Sequence, residues 1–128
     1  MIYLETSVAL AHVLAENRAP RPSLWDEPLA SSRLLEYELW TRVNAHKLGK
    51  THGEAVRALL SRVSLLELSP LVLTRVVEPF PVAIRTLDAI HLASAAFLRG
   101  RGQAIELATY DNRLRAAAEA MGIEIAAV

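Results

Sequence analysis

Short apolar runs alternate with longer, helix-patterned stretches from one end of this 128-residue chain to the other, and nothing else in the sequence limits the fold as much. Strand-forming runs lie at 1–4, 29–31, 64–68, 104–108 and 123–128. A strand reached through a helix returns parallel to its predecessor, because only a crossover turns the chain round twice. The expected architecture is therefore a single α/β domain over 1–128. It has three layers, with a mostly parallel central sheet of about five short strands and helices on both faces. A chain of this length supports one core.

Local signals place the helices. Thr6-Ser7 offers an N-cap to an apolar helix from Val8 to about Glu16. Residues 17–28 contain Pro20, Pro22 and Pro28 and read as a loop, with one helical turn at Ser23-Leu24-Trp25. Ser32 caps a helix to about Lys47, and Leu48-Gly49-Lys50 breaks the chain. Thr51 with Glu54 then forms a capping-box pattern for a helix to about Val63. Pro70 opens a short helix that ends before Pro79. Thr86 to about Arg99 is strongly helical, closed by Gly100-Arg101-Gly102, and Asp111–Met121 is a helix with Gly122 as its C-cap.

A parallel sheet gathers its chemistry at the carboxyl ends of its strands, beside the point where strand order reverses. Glu5 follows the first strand directly and Asp111 lies just past the fourth. Glu38 projects from the second helix in the sector of Leu34, Leu35, Leu39 and Val43, where a carboxylate loses hydration unless a partner compensates it. Asp88 stands in the first turn of a helix, Leu87–Phe97, that is apolar nearly all round. Each acid also has a purely structural reading. Glu38 can pair with Arg42 or another helix, Asp88 can answer the helix dipole, Asp111 can cap, and Glu5 can be a solvated strand end. His91, one turn after Asp88, reads as a hydrogen-bonded core residue.

The combination is more specific than its members. Clustered carboxylates repel one another unless a cation neutralises them. The chain has no cysteine, which excludes thiolate metal sites, disulfides and cysteine nucleophiles. All-oxygen ligation suits Mg²⁺ or Mn²⁺ rather than Zn²⁺ and points to metal-assisted phosphodiester hydrolysis. No G-x-S-x-G elbow, Walker loop or G-x-G-x-x-G turn offers another chemistry. The net charge is zero, so nucleic-acid contact has to be local. Arg85, Arg99, Arg101 and Arg113, with Arg115, are candidate RNA contacts around the last two acids, or else solvated helix ends.

These segments resemble the PIN-domain family, in order and along the whole chain. Met1-Ile2-Tyr3-Leu4-Glu5-Thr6-Ser7 is similar to its opening strand, acid and hydroxyl residue. Ser31-Ser32-Arg33-Leu34-Leu35-Glu36-Tyr37-Glu38-Leu39 resembles its second motif. Arg85-Thr86-Leu87-Asp88-Ala89-Ile90-His91-Leu92-Ala93 resembles its third and is the most specific match. Ala108-Thr109-Tyr110-Asp111-Asn112-Arg113-Leu114 resembles its fourth. Length and motif wording point to the VapC toxin branch. The resemblance implies a PIN fold and Mg²⁺- or Mn²⁺-dependent endoribonuclease activity. It places metal on Glu5, Glu38, Asp88 and Asp111, with support from Thr6 and Thr109 and with Tyr110 and Asn112 at the rim. It also implies a VapB-like antitoxin partner, a homodimer and a toxin–antitoxin hetero-oligomer. Tyr37, Trp40, Leu14 and Val13 are candidates for the antitoxin groove or the dimer seam, or else ordinary core.

One residue departs from the pattern. The family carries Asp where this chain has Glu5. The extra methylene is comparable to the ~1 Å misplacements that cost on the order of a hundredfold in rate, so reduced activity is expected. A working variant, an attenuated enzyme and an engineered change all fit. A disabled module that binds antitoxin or RNA without cutting is the contrasting reading, and a structure-specific DNA nuclease is disfavoured by the lack of a basic patch. The absence of a signal-peptide pattern or a membrane-length apolar run gives a cytoplasmic expectation.

Overall fold

The computed structural model describes every residue from Met1 to Val128. Strands β1 (Ile2–Leu4), β2 (Leu29–Ser32), β3 (Val63–Leu66), β4 (Glu106–Ala108) and β5 (Glu124–Ile125) form one sheet in the order β3-β2-β1-β4-β5. Every neighbouring pair is parallel, so the sheet expected to be mostly parallel is wholly so. The connecting helices are α1 (Thr6–Val13), α2 (Leu34–Ala45), α3 (Gly49–Leu60), α4 (Pro70–Leu73), α5 (Thr86–Gly100) and α6 (Asn112–Ala120). Single 3-10 turns stand at Pro22–Asp26 and Thr74–Val77. The chain steps outward from β1 to β2 and β3, then returns through α5 to lay β4 on the other side of β1. Strand order therefore reverses between β1 and β4.

The three layers follow from the two-residue period of a strand. Ile2 and Leu4 face a core shared with Val8, Leu35, Leu39, Val43, Val56 and Leu59 of α1, α2 and α3. Tyr3 faces the opposite way, into a second core with Leu92, Ala95, Leu114, Ala117 and Ala118 of α5 and α6. Each buried Leu or Ile contributes roughly 1.5–3 kcal/mol, and β1 has both faces covered. No helix is long and apolar enough to cross a membrane.

Two of the helix boundaries that differ from the sequence reading share one reason. α1 stops at Val13 rather than near Glu16, because Ala15 takes a left-handed backbone (φ 51°). The amides of Glu16 and Ala15 then donate to the carbonyls of Ala11 and His12, a Schellman closure. Lys47 (φ 57°) closes α2 in the same way, with Leu48 donating to Val43 and Lys47 to Asn44. That closure lets α3 begin at Gly49, so the expected capping box does not form. Thr51 lies inside the first turn and its hydroxyl donates to the Leu48 carbonyl.

Candidate active site

The carboxyl ends of β1 and β4, at the reversal of strand order, bring Glu5 and Asp111 to one edge of the sheet. Glu5 is the N-cap of α1, which corrects the expectation that Thr6-Ser7 caps it. Its Oε2 accepts the Ser7 amide at 3.0 Å, the Ser7 hydroxyl, and the Thr109 hydroxyl at 2.8 Å. Thr109 in turn accepts the Asp111 amide at 3.0 Å, so one buried hydroxyl ties the end of β4 to the end of β1. Asp111 caps α6, its Oδ1 accepting the amides of Arg113 and Leu114 at 2.9 and 3.0 Å. The capping expected of Asp111 is thus present, and it leaves Oδ2 free.

Glu38 reaches the same edge from α2. Its Oε1 accepts the Thr6 hydroxyl at 2.6 Å and His91 Nε2 at 2.7 Å. Its partner is therefore another helix, α5, rather than Arg42. Burial pushes the Glu38 carboxyl up, but His91 and Thr6 together outweigh that and hold it below its ordinary value. His91 is the hydrogen-bonded core residue that the sequence suggests, 1% exposed. Its Nδ1 lies 2.8 Å from the Tyr3 hydroxyl, which also accepts the Ser32 amide at 3.1 Å. Burial pushes the Tyr3 hydroxyl far above its ordinary range, so it stays protonated.

Asp88 differs from the other three: it stands half-buried in the first turn of α5 with no hydrogen bond to stabilise its charge. Burial, then the charges of Asp111 and Glu5, push its carboxyl up; His91 opposes them and Glu38 adds to them. Asp88 therefore senses all three other acids. The four do not close on a point, however, and no three acids or histidines stand near enough to chelate one ion. Mutual repulsion favours that spread. The donor set itself fits a hard divalent cation: it is all carboxylate, and three members each have one oxygen oriented by hydrogen bonds and one without a protein partner.

A groove of about 520 Å³ opens beside the acids, lined by Glu5, Ser7 and Glu38 together with Arg18, Arg42 and Tyr37. Arg18 also lies over the Tyr110 ring, 4.5 Å from its centroid. Sequence reasoning does not single out Arg18 or Arg42 as a nucleic-acid contact, since neither belongs to the third or fourth acidic motif. Of the arginines it does single out, Arg85 and Arg113 flank the helix starts next to Asp88 and Asp111. Arg99 and Arg101 do not share that rim. They stand at the far end of α5, about 16 Å or more from Asp88 at the helical rise. Arg99 donates to the Met121 carbonyl and Arg101 covers Phe97. Arg115 pairs with Glu119. Asn112 is exposed at the start of α6. Among the groove candidates, Val13 is core, Leu14 and Trp40 pack against it, and Tyr37 is 54% exposed.

Fold and site together define a class: a wholly parallel α/β protein that collects carboxylates at the reversal of its strand order. The model of the PIN domain matches residues 2–120, and the chain belongs to that family. It is similar along nearly its whole length to three proteins of Mycobacterium tuberculosis. Ribonuclease VapC35 (strain CDC 1551 / Oshkosh) is 34% identical over 99% of this chain and 96% of its own. Ribonuclease VapC46 (strain H37Rv) is 38% identical over 98% and 96%. Ribonuclease VapC47 (strain CDC 1551 / Oshkosh) is 32% identical over 95% and 93%.

Proposed function

We propose that this chain is a divalent-metal-dependent endoribonuclease of the toxin type, held in check by a VapB-like antitoxin. The observation that carries the reading is Asp88. It is an unpaired carboxylate raised by burial and by three neighbouring acids, which is the electrostatic condition that a bound cation relieves. The ribonuclease names of its relatives supply the substrate class.

Glu5, Glu38, Asp88 and Asp111 would hold the ion, Mg²⁺ or Mn²⁺, on drawing closer together than they stand in this structure. When bound, such an ion supplies a nucleophile at neutral pH and neutralises charge on the leaving oxygen. The chain's own groups do the rest. Ser7 and Thr109 fix one oxygen of Glu5, the α6 amides fix one of Asp111, and His91 with Thr6 fix one of Glu38. Arg18 and Arg42 in the groove, with Arg85 and Arg113 at the helix starts, grip phosphates on either side of the cut. Tyr37, exposed in the groove, offers a face for a base. The same groove would receive the antitoxin, whose basic side chain would neutralise the acids.

One observation favours a second reading, a module that binds RNA or antitoxin without cutting: no three acids stand near enough to chelate one ion. Incubation of the antitoxin-free chain with a mixed RNA pool, in Mn²⁺ and in EDTA, tests the choice. Cleavage in Mn²⁺ that stops in EDTA is expected. If the chain is silent, Glu5→Asp is assayed in the same way; activity appearing only then marks a disarmed nuclease, and silence from both favours the binding module.

A further inference from the structure

His91 is not one of the four carboxylates, yet both of its ring nitrogens are engaged beside them. It is 1% exposed, and each ring nitrogen lies within hydrogen-bond distance of a partner. Ionised Glu38 only accepts, so Nε2, 2.7 Å from Oε1, is the donor to it. Tyr3, whose hydroxyl already accepts the Ser32 amide, is free to donate its proton to Nδ1 at 2.8 Å. The chain of bonds runs in one direction, from the Ser32 amide through the Tyr3 hydroxyl and the His91 ring to Glu38. Thr6 donates to the same Glu38 oxygen at 2.6 Å and lies 3.2 Å from Nε2. Oε2 of Glu38 has no protein partner, and no Glu38 oxygen is both buried and unpaired.

We infer that His91 and Thr6 are positioning residues: they clamp Oε1 of Glu38 so that Oε2 alone faces the acidic centre as a metal-ligating oxygen. This rests on the metal-site reading above. Two donors on one oxygen fix the rotation of a carboxylate that otherwise hangs on three freely turning bonds. The tautomer is set from the core through Tyr3, which is 0% exposed. Removing an orienting partner of this kind typically weakens metal affinity 10–100-fold.

Two substitutions of nearly equal polarity separate positioning from packing. A glutamine amide nitrogen reaches about as far as Nε2 and can still donate to Glu38, whereas an asparagine reaches only as far as Nδ1. Mn²⁺ affinity is measured by the decline of the free-ion signal in electron paramagnetic resonance, with circular dichroism confirming the fold. His91→Gln is expected to bind Mn²⁺ close to the parent value, and His91→Asn about 10–100-fold more weakly. Equal affinities for the two variants overturn the inference, because a packing role would affect both alike. Should either variant fail to fold, Thr6→Val carries the test, with weaker Mn²⁺ binding expected and unchanged binding overturning it. A parent chain that binds no Mn²⁺ overturns the metal-site reading and this inference together.

Discussion

Glu5 is at once the cap of α1, the link to β4 and the first candidate ligand. One of its oxygens takes the Ser7 amide, the Ser7 hydroxyl and the Thr109 hydroxyl together. Shortening the side chain draws the carboxylate back toward the strand end. Glu5→Asp is therefore expected to raise metal-dependent RNA cleavage, on the order of ten- to a hundredfold. An unchanged rate would show that the methylene is tolerated. Asp88 is the opposite case, since no bond offsets its charge. Its carboxyl is raised in the folded protein, so the fold penalises its ionised form. That penalty is absent below the ordinary Asp range and grows as pH rises through the raised value. Asp88→Asn removes it. Without divalent ions at neutral pH, the variant is expected to melt slightly above the parent, and the two should converge as the pH falls below the ordinary Asp range. A lower melting point for the variant at neutral pH would contradict this.

At the level of elements, four helices end in the same Schellman closure, and only two of those ends are legible in the sequence. Gly102 and Gly122 hold the left-handed position after α5 and α6, and glycine marks that position plainly. Ala15 and Lys47 hold it after α1 and α2, where nothing in their chemistry announces it. Apolar patterning therefore carries α1 past its true end, and the α2–α3 break reads as a capping box that does not form. A left-handed backbone costs a non-glycine residue roughly 1–2 kcal/mol, partly offset by the extra freedom glycine has when unfolded. Lys47→Gly is thus expected to stabilise the protein by up to about 1 kcal/mol in denaturant titration; destabilisation would mean that Lys47 makes interactions which outweigh the strain. The acids are more legible than the helix ends, because a strand end and a helix start are fixed by pattern alone. Helical periodicity puts Glu38 on the correct sector of α2, but its partner His91 lies 53 residues away, and no local spacing reveals such a pair.

Across the whole molecule, a net charge of zero conceals a separation of charge. Acids gather at the β1–β4 edge, and Arg18 and Arg42 line the groove that leads from it. The two arginines escape sequence reading because one lies in a proline-rich loop and the other on the exposed side of α2. Replacing both with alanine is expected to raise KM for RNA with little change in kcat. It should also flatten the dependence of log affinity on log salt by about 0.7 for each phosphate no longer neutralised. An unaltered salt slope would remove them from the RNA path. The most direct test of the central claim, that the four carboxylates act together as one metal-dependent hydrolytic site, is RNA cleavage across a Mn²⁺ series by the Glu5→Asp chain, with and without Asp88→Asn. Cleavage that rises with Mn²⁺ and drops at least about a hundredfold when Asp88 is neutralised is the expected result. Cleavage indifferent to Mn²⁺, or undiminished by Asp88→Asn, would contradict it.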